Sequence, residues 1–383
     1  MERVTPGPNP FVYGRELSRG ELVDRTDELE TIAATIRNRD RLFLIGPRRF
    51  GKTSLLKVAG AAARRSGHIV LHCEIEKHES LSVLGDGLLR EFLSLSRRFT
   101  HTKVGRSTRP VLTEHRFTSV TPRHGNQHET VGDLRSLTKA LDSINDAASR
   151  LDPPVWVILD EVQHLLLGYG QSAERVLRGT MEEHKHIGYA LSGSDERFLN
   201  SVTTESARAF YGFGVRLYLR QVPEPAFLDF LRAGFGRLGF SVEKRGLEAI
   251  LESAEHVPYN VQRIANVAWE ILRAGEADDL TPPVVSVAVE RIVRQEDPAY
   301  THIWAQLSTN QKKALKAVIA HKGENLQSAA ATRSVGLSTS SMQTALVRLE
   351  QMQLIRPDFN GGKARYWLVD PCMGSWLAVV QAQ

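Results

Sequence analysis

Residues 46–53 read Gly46-Pro47-Arg48-Arg49-Phe50-Gly51-Lys52-Thr53. They stand between an apolar run, Arg41 to Ile45 (RLFLI), and a helix-forming stretch from Lys52 through Ala63. The pattern G-x-x-x-x-G-K-[ST] set between strand and helix confines the fold more than any other feature of the chain. Its glycines let the backbone wrap closely around phosphate with N–H groups pointing inward, and the helix behind it adds a positive N-terminal end. Lys52 is expected to reach the β- and γ-phosphates of a nucleotide, and the Thr53 hydroxyl to ligate magnesium. The cradle runs from Gly46 through Ser54. Arg48 and Arg49 are additional charges: contact with phosphate, contact with a partner and simple solvation are all open.

A phosphate loop needs a carboxylate at the tip of a neighbouring strand. Val155 to Leu159 (VWVIL) is a buried-strand run that ends in Asp160-Glu161. Asp160 is expected in the magnesium shell and Glu161 as general base for an attacking water. A further strand ends in Leu191-Ser192-Gly193-Ser194, where Ser192 or Ser194 would sense the γ-phosphate or orient the water, or simply form a turn. His68 to Ile75, Tyr189 to Leu191 and Arg216 to Leu219 are the remaining strand candidates. Strands alternating with helices predict an α/β fold, a parallel sheet covered on both faces.

The length, 383 residues, suits two or three domains. Residues 1–222 form the expected nucleotide-binding domain, 223–298 a helical lid and 299–383 a third unit. Residues 1–20 read as an extended arm, followed by a helix that Asp24 caps and that buries Leu29, Ile32, Ala33 and Ile36. Residues 96–130 carry seven Arg or Lys against two Glu with little periodicity, which predicts a basic surface loop or insertion, open to nucleic-acid contact or to plain solvation. The net charge of +5 permits a nucleic-acid partner without demanding one. The two cysteines, Cys73 and Cys372, are far apart and read as reduced thiols. No apolar run is long enough for a membrane helix, so a cytoplasmic protein is expected.

The motifs together resemble the archaeal-type ATPase branch of the STAND and AAA+ P-loop NTPases. Asn9-Pro10-Phe11 stands near the start, and Val23-Asp24-Arg25 with Glu28-Leu29 is similar to the family's F-x-x-R-x-x-E-L helix, with Val23 in place of Phe. GPRRFGKTSLL, ILDEVQ and LSGS resemble its phosphate loop, carboxylate strand and sensor strand. Ala207 to Phe213 (ARAFYGF) resembles its R-x-F-Y stretch, which implies Arg208 as an arginine finger or γ-phosphate sensor. His256 to Gln262 (HVPYNVQ) resembles the G-x-P-x-x-x-Q segment that opens a lid helix, with His256 at the glycine position and Arg263 as a displaced second-sensor candidate. The resemblance implies ATP rather than GTP, with magnesium, and leaves a homo-oligomer open.

The C-terminal unit begins with an amphipathic helix over 307–320, capped near Ser308 or Thr309. A short helix ends at Gly336, and a third, capped by Ser338 or Thr339, buries Met342, Ala345, Leu346, Leu349 and Met352. Asn360-Gly361-Gly362 then marks a hairpin turn. The order predicts a winged helix-turn-helix, and it resembles the winged-helix tails of the same ATPases down to Asp370-Pro371 and Trp376. The third helix would present Ser340, Ser341, Gln343, Thr344 and Arg348 to double-stranded DNA, and the hairpin Lys363 and Arg365 to its phosphates. The expected function is an ATP-driven switch whose winged helix holds DNA. A signalling or assembly ATPase with a protein partner is the alternative, and a small-molecule phosphotransferase the remote one.

Overall fold

The computed structural model describes residues 7–99, 127–237, 242–358 and 365–381. They form two compact units: one of Leu17–Pro47 and Gly51–Arg220, the other of the chain up to Glu16, Arg48–Phe50 and the chain from Gln221 onward.

The first unit is built on a five-stranded sheet in the order β2-β3-β4-β1-β5, formed by β1 (Arg41–Ile45), β2 (Ile69–Glu74), β3 (Val155–Asp160), β4 (Ile187–Gly193) and β5 (Val215–Tyr218). Every pairing is parallel. Parallel strands are covered on both faces and so read as continuous apolar runs. Accordingly every residue of β3 and β4 is buried. The covering helices are α1 (Thr26–Asn38), α2 (Lys52–Arg65), α3 (Leu81–Ser96), α4 (Gln127–Ala148), α5 (Gln163–Glu183) and α6 (Glu196–Thr204). Because β1 lies beside β4 and β4 beside β3, with Ile45 level with Gly193 and Leu159 level with Leu191, three strand ends open side by side. Ligands of open α/β sheets bind at such carboxyl ends.

The structure corrects the expected start of α1. Arg25, not Asp24, is its N-cap, and no side chain caps it. Arg25 is buried instead, with its guanidinium on Glu28 at 2.8 Å and on the Arg220 carbonyl at 2.7 Å. The ends of the basic stretch are ordered: Ser96 closes α3, Arg97–Phe99 make a 3₁₀ turn, and Gln127 opens α4. The remainder, 100–126, lies outside the described residues.

The second unit holds α7 (Glu224–Gly236), α8 (Lys244–Ser253), α9 (Pro258–Arg273), α10 (Pro282–Gln306), α11 (Thr309–Ala320), α12 (Ala329–Ser334), α13 (Thr339–Gln351), β6 (Ile355–Asp358), β7 (Arg365–Leu368) and α14 (Pro371–Gln381). Helix, helix, helix and an antiparallel β6–β7 hairpin is a winged helix. Ser308 caps α11 through a capping box with Gln311, and Ser338 caps α13. Along α13 the expected buried face holds for Met342, Ala345, Leu346 and Leu349, but Met352 lies at the helix C-cap and is 39% exposed.

Residues 9–12 of the expected extended arm are anchored on the second unit. Phe11 is 1% exposed, with its ring 5.8 Å from Phe230 and 4.6 Å from Phe235. Asn9 reaches Glu270, Asn266 donates to the Phe11 carbonyl, and Val12 N–H donates to Gln262, all on α9. A phenylalanine this buried should matter to the second unit. Phe11→Ala is expected to cost about 3–5 kcal/mol, read as a lowered denaturation midpoint.

Candidate functional site

Gly51 is the N-cap of α2 and has φ 90°, a left-handed conformation that side chains adopt only at a cost, so its glycine is required by the turn. Lys52 follows it into the helix. Its ammonium is buried, donates to the Pro47 carbonyl at 3.1 Å and stands 3.8 Å from Glu161 Oε1.

Thr53 donates its hydroxyl to Asp160 Oδ2 at 2.6 Å, and Ser192 donates to Oδ1 at 2.5 Å. The Glu161 N–H adds a third bond to Oδ1, and His72 Nε2 stands 3.7 Å from Oδ2. Asp160 is fully buried. Burial opposes its ionisation, but the His72, Ser192 and Thr53 side chains outweigh that and hold its carboxyl well below the usual carboxylate range. Asp160 is therefore a carboxylate at any ordinary pH.

Glu161 is held differently. Its φ of 56° is left-handed, a strained state for a non-glycine residue and one that gathers at functional sites. Its Oε2 accepts from Gln163 Nε2 at 2.6 Å, from the Ser194 hydroxyl at 2.7 Å and from the Ser194 N–H at 3.2 Å. A side chain at Gly193 would collide with the Gln163 carboxamide, so the small residue makes room for this clamp. The predicted residues from Lys52 to Ser194 are thus brought together within one unit. Sequence reading missed two of their partners. Gln163 closes the ILDEVQ motif with no role of its own attached, and His72 carries no motif.

Arg208 is tied elsewhere in that unit. Its guanidinium is paired with the buried carboxylate of Glu174 and bonded to Ser201 at 2.9 Å. Its pKa is raised chiefly by the hydrogen bond to Glu174. In the second unit, Arg263 is 4% exposed and pairs with Glu296 at 2.5 Å. Ser340, Gln343, Thr344 and Arg348 are exposed on α13, with Ser341 half-buried and bonded to Ser338. Arg365 folds back: its guanidinium lies 3.7 Å from the Trp367 ring centre, bonds the Lys322 carbonyl at 3.1 Å and pairs with Glu324 at 3.3 Å. Lys363 lies outside the described residues.

Residues 298–379 match the family described as "Probable winged helix domain". No curated protein matches the chain. Among solved structures, the Walker-type ATPase of Pyrococcus abyssi superposes with a TM-score of 0.64 at 17% identity, over 96% of this chain and 99% of that one. The ORC2 protein of Aeropyrum pernix, solved as ADPNP–ADP complexes, superposes with a TM-score of 0.54 at 18% identity, over 100% of this chain and 98% of that one. The chain shares the fold of these two proteins, a Walker-type ATPase and an ORC2 protein. Its residues 298–379 form a winged helix domain.

Glu255 and His256 stand where the resembling lid segment opens, and both have left-handed φ, 48° and 54°. That conformation explains why a glycine suits the position. Glu255 Oε2 is buried without a hydrogen-bond partner, and burial pushes its carboxyl up to about 7 against the partial relief of Arg356 and Arg365. Its folded pKa lies above the unfolded value of 4.5, so the folded state binds the proton more tightly and stability falls as pH rises from about 4.5 to about 7. Glu255→Gln is expected to stabilise the protein by on the order of 2–3 kcal/mol at pH 8 and by little at pH 5, measured by urea unfolding at the two pH values.

Proposed function

We propose that the protein binds and hydrolyses ATP and that its nucleotide state governs a winged helix associated with double-stranded DNA. The observation that carries the reading is the pair of unlike carboxylates at adjacent strand ends: Asp160 buried and bonded to Thr53, Glu161 clamped by Ser194 and Gln163. In this reading 1–222 is the ATPase domain, 223–298 the lid and 299–383 the winged helix, with α10 running through the last junction.

The donors present suit magnesium. A hydroxyl oxygen and an ionised carboxylate oxygen are hard ligands, and magnesium is held through one or two carboxylates plus substrate phosphates. Thr53 and Asp160 would hold it, and when bound it supplies charge neutralisation for the phosphates. Lys52 neutralises the β- and γ-phosphates, and Gly46 through Ser54 contribute N–H donors. Glu161 accepts the proton of the attacking water as its oxygen bonds to the γ-phosphorus and the bond to the β-bridging oxygen breaks, yielding ADP and phosphate. Ser194 and Gln163 position that carboxylate, and Ser192 positions Asp160. Arg208 would serve the developing charge by exchanging Glu174 for phosphate.

DNA association rests on the winged helix and on the exposed polar face of α13. Capture of Arg365 by Glu324 and Trp367 favours the second reading, in which the winged helix and the basic stretch bind a protein and the enzyme works in signalling or assembly. Cytoplasmic localisation belongs to the same proposal. Among the described residues no helix is long and apolar enough to cross a membrane.

Lys52→Ala is expected to abolish nucleotide binding. Glu161→Gln should retain ATP while turnover drops about 100-fold or more, and hydrolysis at the wild-type rate would place the base elsewhere. Gln163→Ala should lower kcat roughly 10-fold at nearly constant KM, assayed by phosphate release. Hydrolysis measured with and without duplex DNA separates the two readings. Stimulation by DNA, lost on charge reversal of Lys363 and Arg365 and weakened steeply by salt, supports the first. Indifference to DNA with no binding at low salt supports the second.

A further inference from the structure

β2 runs along the edge of the sheet beside β3, with Glu74 level with Asp160 and His72 level with Ile158. Alternation along a strand puts His72 and Glu74 on the face that Asp160 occupies. These two polar neighbours of Asp160 are treated differently. Glu74 is matched by Lys57 at 3.0 Å and by Lys77 at 2.7 Å. His72 is 9% exposed, and its Nε2 is buried without a hydrogen bond among the described residues. The rest of 69–73 is apolar, and another apolar side chain at 72 would leave no polar atom to satisfy. A buried nitrogen without a partner costs free energy, so its presence calls for an explanation.

The direction of that nitrogen supplies one. Nε2 stands 3.7 Å from Asp160 Oδ2. That is too long for a direct hydrogen bond, yet short enough for one small molecule to reach both atoms at ordinary hydrogen-bond length. Oδ1 of the same carboxylate is filled by the Ser192 hydroxyl at 2.5 Å and the Glu161 N–H at 3.1 Å. Oδ2 has the Thr53 hydroxyl at 2.6 Å and keeps capacity to accept again. A neutral imidazole with Nε2 unprotonated and a carboxylate oxygen are two acceptors side by side. They suit a molecule that gives both its protons and keeps its oxygen for another contact. Water on a divalent cation is such a molecule, and magnesium characteristically keeps several waters.

We propose that His72 and Asp160 together seat one water of a hydrated magnesium ion, with Nε2 accepting one of its protons and Oδ2 the other. The inference rests on the reading of Thr53 and Asp160 as the magnesium residues, and it adds a positioning residue that no motif marked. His72 acts through that water and not on the reacting atoms. Groups that hydrogen-bond a metal's ligands orient them and strengthen the site. The strand holds His72 in place for this, because Leu71 and Cys73 on either side are buried in the core.

The test is the affinity of Mn²⁺, standing in for magnesium, for the complex of the full chain with ADP, read from the EPR signal of free Mn²⁺ with protein in excess over ADP. His72→Phe keeps a ring and removes the nitrogen; it is expected to weaken Mn²⁺ binding about 10-fold while ADP affinity in EDTA changes by less than about twofold. His72→Val, a smaller residue suited to a strand, should show the same loss and covers the case where the phenylalanine variant folds poorly. His72→Gln returns an acceptor oxygen and should restore Mn²⁺ affinity to within about threefold of wild type. Unchanged Mn²⁺ affinity in the phenylalanine and valine variants overturns the seat while the magnesium reading stands. A glutamine variant as weak as the phenylalanine variant overturns it as well. An equal loss of ADP affinity in EDTA gives His72 a structural role and overturns it too. So does strong ¹⁴N coupling in the Mn²⁺ spin-echo spectrum of the wild type, the mark of an imidazole bound to the metal itself. A wild-type chain that binds ADP but no Mn²⁺ overturns this inference and the magnesium reading together, and one that binds neither overturns the nucleotide-binding reading with them.

Discussion

A hydrogen bond of 2.6 Å between Thr53 and Asp160 joins residues 107 positions apart, and the first unit is organised around it. It requires β1 and β3 to be separated by the single strand β4, with their carboxyl ends level. It also requires a buried charge to be stable. An unpaired carboxylate at zero exposure would be neutralised or expelled. Here two hydroxyls and a backbone N–H bind it, so burial preserves the charge instead of suppressing it. The register of the sheet and the chemistry of the site are in this sense one constraint.

The neighbouring carboxylate shows the opposite treatment. Glu161 follows Asp160 in the chain but turns away through a left-handed residue, and it is held by side chains from the start of α5 and the end of β4. Adjacent residues with different environments can carry different roles, one holding charge and the other moving a proton. The strain at Glu161 is sustained because Ser194 and Gln163 fix its side chain from two directions, and because Val162 N–H is bonded to the Ser192 carbonyl at 2.8 Å just after it.

The C-terminal unit is held by apolar packing at one place and by a polar network at another. Phe11 and the Asn9, Asn266 and Gln262 bonds fasten the N-terminal segment to α7 and α9. Arg263, Tyr300 and Asp370 join α9, α10 and the start of α14, and Trp376 adds a bond to Asp297 on α10 at 2.7 Å. Helices α9 and α10 and the start of α14 thereby share charged partners. A change at any one of them is felt by the others.

The phosphate loop, its two flanking elements, the β3 carboxylates and the winged-helix order were all legible in the chain. Each is a local pattern: contiguous chemistry in residues 46–53, an apolar run ending in Asp160, caps at Ser308 and Ser338. Within α3, Gly85 and Gly87 weaken the local helix signal, and α1 lacks the side-chain cap that Asp24 suggested. Met352 fits the helical spacing but falls past the last packed turn. What no pattern carried were the pairings: His72 against Asp160, Gln163 and Ser194 on Glu161, Arg208 on Glu174, Asp370 between Arg49 and Arg263. The sequence by itself determined which residue types the chemistry has at hand, because strand, loop and helix preferences act over a few residues. Only the tertiary structure decided which of them meet, because strand order and helix packing bring together side chains that local preference leaves far apart.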